Sequence, residues 1–101
     1  MSQTRAEYAQ VLFTNLLRFI DQKLVGKEEL LRQTPLAGYL EQMRTMNLAM
    51  CAALAQTGFL SWAVIEPRVV EPMRKLGVTL DANEVAFVRE SLEGLALLFS
   101  A

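Results

Sequence analysis

The sequence contains no histidine and a single cysteine, Cys51. Without histidine, the commonest general base and the commonest metal ligand are both missing. One cysteine excludes an intramolecular disulfide framework and a thiolate metal cluster. Charge of one sign is also lacking, because acidic and basic residues nearly cancel to a net −1. So balanced a chain has no positive excess to hold a nucleic-acid backbone. Neither a Gly-x-Gly-x-x-Gly turn nor a Walker-type phosphate loop occurs, and no Asp-rich calcium loop is present.

Tests for chemistry come out equally bare. Cys51 lies in an uncharged stretch, where desolvation keeps a thiol protonated and inert. Ser61 has no neighbouring base to activate it. Glu66 and Glu71, each followed by proline, form the one pair of carboxylates in an unusual setting. They read more simply as helix starts, where a carboxylate meets the positive end of the helix dipole. The chain is therefore expected not to be an enzyme and to carry no metal, cofactor or catalytic residue.

What is present in excess is apolar surface. Hydrophobic residues make 52% of the 101 residues, above the roughly 45–50% of an average soluble domain even before glycine is counted. The length suits a single domain spanning residues 1–101. The N-terminus shows no basic segment leading into an apolar one, so a cytoplasmic location is expected. The stretch from Thr45 to Ile65 carries no charged residue, and its length approaches the about 20 residues of a membrane span. Asn47, Gln56, Thr57, Gly58 and Ser61 interrupt it, and aromatic residues mark only one end. A buried helix is the better expectation, and a membrane span is not expected.

Periodicity predicts an all-α fold of four to five helices in a small bundle. The first helix is expected from about Arg5 to Val25. Thr4 and Glu7 sit at capping-box spacing, a stripe runs through Tyr8, Val11, Leu12, Leu16, Phe19, Ile20 and Leu24, and Gly26 follows as C′. A short turn from Lys27 to Gln33 leads to Thr34 as N-cap and Pro35 as first helical residue. The third helix is expected to be long and nearly uncharged, over 35–56 or, through Gly58, 35–65. Leu36, Leu40, Met43, Asn47, Met50 and Leu54 follow one another in steps of four and three, a heptad seam. Beyond Arg44 its outer face turns apolar, and a helix apolar all round requires cover on every side. Pro67 should end that run, and a short helix from Pro67 to Leu76 should be kinked by Pro72. The last helix is expected from Asp81, with Glu84 reaching back, to about Phe99; Val85, Val88, Leu92, Leu95 and Phe99 form its apolar stripe. The junction from Leu76 to Asp81 has a faint helix-turn-helix look. The helix after it carries Asp81, Glu84, Glu90 and Glu93 against a lone Arg89, which phosphates would repel, so direct nucleic-acid binding is not expected.

The remaining expectation is assembly with protein. A chain this small covers an all-apolar helix incompletely, and a second copy is the simplest cover. Leu36, Leu40, Met43, Met46, Asn47, Met50, Leu54 and Trp62 are the expected dimer or partner interface. Methionine suits adaptable surfaces, Trp62 suits an interface anchor, and Asn47 would pair with its symmetry mate to fix register or cap a nearby backbone group. The expected function is that of a small homodimeric regulatory or adaptor protein. It would bind and inhibit a transcriptional regulator, or chaperone a partner, a size and build shared with bacterial antiactivators at the level of class alone. The alternatives are a helical module that binds an apolar small ligand between its helices and a structural subunit of a larger complex. An adaptor should leave an exposed apolar patch or groove, a ligand module an enclosed cavity.

Overall fold

The computed structural model describes residues 4–100, which are helices joined by turns, with no strand among the described residues. Helix α1 (Arg5–Lys23) starts where the Thr4 hydroxyl accepts the Glu7 N–H at 3.1 Å. It stops two residues before the expected end, and Gly26 closes the turn with φ +88°. Helix α2 (Glu28–Leu31) is a single turn. Helix α3 (Pro35–Thr45) has Thr34 at its N-cap, but the Thr34 hydroxyl donates back to the Leu31 carbonyl at 2.7 Å and leaves the α3 amides uncapped.

The expected long central helix is two helices. Met46 is extended (φ −67°, ψ 132°), and Asn47 opens helix α4 (Leu48–Gln56) by accepting the Met50 N–H at 2.9 Å. Asparagine favours this N-cap role over a helix interior, where its side chain competes with the backbone ladder. Asn47 therefore does what a capping residue does, and the heptad seam is interrupted at its centre. Helix α4 ends in a Schellman turn. Gly58 at φ +83° lets Phe59 donate to the Leu54 carbonyl and Gly58 to that of Ala55. No helix among the described residues is long and apolar enough to cross a membrane.

Pro67 does not end the next helix. Helix α5 (Trp62–Ile65), a π-helical segment (Glu66–Val70) and helix α6 (Glu71–Lys75) form one unbroken run, with Glu66 and Glu71 both helical. The Glu71 N–H donates to the Glu66 carbonyl, five residues back. An extra residue in the turn ahead of Pro72 relieves the clash a proline ring makes with the carbonyl four residues behind it. Glu66 and Glu71 are thus inside a continuing helix and not at two helix starts. A second Schellman turn closes the run at Gly77 (φ +88°), where Val78 donates to Met73 and Gly77 to Arg74. Helix α7 (Ala82–Leu98) opens with a complete capping box. Asp81 accepts the Glu84 N–H at 2.8 Å, and Glu84 accepts the Asp81 N–H at 2.9 Å.

Helices α1 and α7 pack antiparallel. Their register is fixed by Phe19 against Phe87 (centroids 5.1 Å apart), by Lys23 paired with Glu84 at 2.6 Å, and by Leu12 over Gly94. The core face of α1 is Ala9, Phe13, Leu16 and Ile20, so Tyr8 and Val11 of the expected stripe are exposed. Against it lie Leu36, Leu40 and Met43 of α3, then Ile65, Val69 and Met73 of the π-containing run, then Val88, Leu92 and Leu95 of α7. Burying each of these side chains larger than Ala9 is worth about 1.5–3 kcal/mol. Ser91, the one buried polar side chain among the described residues, donates to the Phe87 carbonyl at 2.8 Å.

Two expectations follow from the α1–α7 contact. A Cβ at Gly94 would meet a Leu12 methyl at 3.0 Å, so Gly94→Val is expected to cost about 1–3 kcal/mol by overpacking, read as a lower urea midpoint. The Lys23 ammonium, then the Asp81 N–H, hold the Glu84 carboxyl below its ordinary value of 4.5. A depressed carboxylate contributes stability that is present above the unfolded pKa and lost as pH falls through the folded one. The melting temperature should therefore fall on acidification from neutral pH to below 4.5, and Glu84→Gln should flatten that fall. An unchanged slope in the variant would refute the assignment.

Candidate functional site

A groove of about 690 Å³, open to solvent, lies between α3 and the π-containing run. One wall is α3 as far as Gln42, with its N-cap: Thr34, Pro35, Leu36, Gly38, Tyr39 and Gln42. The other is Pro67, Arg68, Pro72, Lys75 and Leu76. Arg68, Pro72 and Lys75, four and three residues apart, share one face of the helical run, and Pro67 stands beside them. The proline rings add rigid apolar surface that needs no hydrogen-bond donor.

Charge in the groove is of one sign. Arg68 and Lys75 line it, and no aspartate or glutamate does. Neither cation takes part in an ion pair among the described residues, whereas neighbouring Arg74 is held by Glu71 at 2.8 Å and Arg44 by Asp21 at 2.7 Å. The Arg68 guanidinium sits 5.9 Å from the centre of the Tyr39 ring. Burial pushes the Tyr39 phenol above its usual range, and the Arg68 charge partly opposes it. Tyr39 is thus a neutral hydrogen-bonding group at physiological pH.

Gly38 lines the groove for no reason internal to the fold. Its φ is not positive, and a Cβ built there meets nothing within 4 Å. A glycine inside a helix costs about 0.5–1 kcal/mol relative to alanine. Gly94 returns that cost in close packing; Gly38 returns it only as open space in the groove.

The residues expected at an interface are dispersed by the fold. Leu36, Leu40 and Met43 are almost fully buried in the chain's own core, so this part of the seam is occupied internally. Met46, Leu54 and Trp62 are half-buried against that core, and the Trp62 ring lies under Arg89 at 5.4 Å. Asn47 is exposed and engaged as a cap, and Met50 is 51% exposed. Leu36 alone of the eight lines the groove. Helix α4 is not covered on every side: Cys51 is its one buried residue, and Ala49, Met50 and Ala53 face outward. Burial pushes the Cys51 thiol up, away from the reactive thiolate.

Sequence reasoning missed Gly38, Tyr39, Arg68 and Lys75. The paired Glu-Pro dipeptides were the available signal, since two prolines five residues apart match the π repeat. A second hollow beside α1, lined by Arg18, Asp21, Gln22 and Arg44 among others, is more polar and more open. Among the described residues no group of three His, Cys, Asp or Glu side chains could hold a metal ion. Comparison with protein-family models, with curated proteins and with solved structures finds no match to this chain.

The Gly38 argument predicts that Gly38→Ala raises stability by about 0.5–1 kcal/mol, measured by urea unfolding. A loss of stability would mean that the fold itself requires the glycine.

Proposed function

We propose that this protein is a small regulatory or adaptor protein that acts by holding a segment of another protein in the α3–π groove. The observation that carries this reading is the groove itself, with Gly38 on its wall where alanine would make the better helix and touch nothing within 4 Å. Its walls are apolar and rigid, as recognition of a helix in a groove requires. It is open along its length, which suits a continuous polypeptide better than an enclosed small ligand. Inhibition of a transcriptional regulator and chaperoning of a partner are both served by such a site. The free, buried Cys51 is in keeping with action in the cytoplasm.

The proposal includes a homodimer. Tyr8 and Val11 of α1, Met50 of α4, Phe59 just after it and Leu97 of α7 are exposed, Leu97 to 73%. Helix α4 packs on α7, where Gln56 donates to the Phe99 carbonyl at 2.9 Å, and none of these five exposed residues lines the groove. Covering them with a second copy leaves both grooves accessible.

Affinity capture with the tagged chain from its native cell should recover a partner that Gly38→Leu fails to retain. Retention of the same proteins by both would sink the groove reading. Sedimentation at micromolar concentration should give about twice the chain mass of 11.3 kDa, and Met50→Glu combined with Leu97→Glu should give a monomer. A monomeric wild type would refute the dimer without touching the groove.

A further inference from the structure

We propose that the occupant of the groove is an acidic amphipathic helix, with carboxylates two turns apart that meet Arg68 and Lys75. The inference rests on the proposed partner-binding role and adds the chemistry of the partner. Its first ground is charge. The groove's only ionisable side chains besides the Tyr39 phenol are two cations, and neither has an ion-pair partner among the described residues. Elsewhere among the described residues Lys23, Arg32, Arg44 and Arg74 are paired while Arg5, Arg18, Lys27 and Arg89 are not; what sets the groove apart is that its two cations share one wall, with no carboxylate lining it. In a chain of net charge −1, a cationic apolar groove is a local departure that selects an anionic occupant.

The second ground is spacing. Arg68 and Lys75 are seven residues apart on one continuous helical run, about 10 Å along its axis by the helical rise. Two carboxylates match this spacing without either long side chain bending back along the helix. Two acidic side chains at i and i+7 of a helix laid along the groove have the same separation. The α3 wall runs from Thr34 to Gln42, about 12 Å, so some two turns of the partner are embraced. The apolar side chains between its two carboxylates would rest on Leu36, Pro72 and Leu76. A nucleic acid is a poor fit, since two cations on an apolar floor release few counterions.

Selection from displayed random peptides of about 14 residues, four helical turns, tests this with three folded proteins: wild type, Gly38→Leu, and the double variant Arg68→Glu/Lys75→Glu. Circular dichroism confirms the fold of each. Wild type should enrich apolar residues at helical spacing with Asp or Glu seven positions apart. The double variant should enrich Lys or Arg at those positions instead, and should bind the best acidic peptide on the order of tenfold more weakly. Gly38→Leu should lose that peptide. Peptides that depend on Gly38 but show no acidic preference and no response to charge reversal would overturn the acidic helix and leave the groove as a partner site. Enrichment indifferent to Gly38→Leu, or no enrichment at all, would overturn both. Dodecanoate that binds more tightly than any selected peptide and is lost in Gly38→Leu would give the groove to a small apolar anion, and would also overturn the proposal.

Discussion

The close approach of α1 and α7 is the contact on which the remaining helices are assembled. It depends on Gly94, where a Leu12 methyl sits in the space a side chain would need. Once the two long helices are in register, their common inner face presents Leu16, Ile20, Val88, Leu92 and Leu95 as one apolar surface. α3 and the π-containing run cover that surface with Leu40, Met43, Val69 and Met73. Because those two elements bury their inner residues against the same pair, their outer edges are left apart. The groove is the gap that remains.

Much of this architecture was legible because it is local. The Asp81–Glu84 box, the Thr4 cap and Gly26 stop of α1 and the apolar stripe of α7 each rest on a few nearby residues with strong local preferences. The break at Met46–Asn47 was not legible. The spacing from Leu36 to Leu54 is satisfied equally by one helix or by two, and the choice depends on whether α4 has something to fold back onto. That something is α7, some forty residues later. The continuation through Pro67 was hidden for a related reason. Proline spacing says where a ladder bond is missing, but tertiary packing decides whether the ladder stops or changes register.

The site was less legible than the fold. Its walls come from segments about thirty residues apart, and nothing in the sequence near Tyr39 points to Arg68. Glycine was read at helix ends, as at Gly26, and not at position 38. Its meaning at position 38 becomes visible only when the space beside it is seen to be empty. The expected interface drew on the most apolar part of the chain, and the fold had already used half of that for its own core. What it left exposed, Met50 and Phe59 among it, does not line the groove.

The π segment has a geometric effect beyond accommodating proline. Each residue of an α-helix turns the chain by about 100°, so a single extra residue in one turn rotates everything after it against everything before. Trp62 and Ile65, ahead of the segment, are anchored to the core, as is Met73 behind it. The inserted residue therefore sets the azimuth at which Pro72 and Lys75 stand relative to the buried half of the helix. A chain one residue shorter in this turn could keep its core contacts on one side of the segment but not on both. The prolines thus serve as an index mark, tying the compass direction of the groove wall to the packing of the interior.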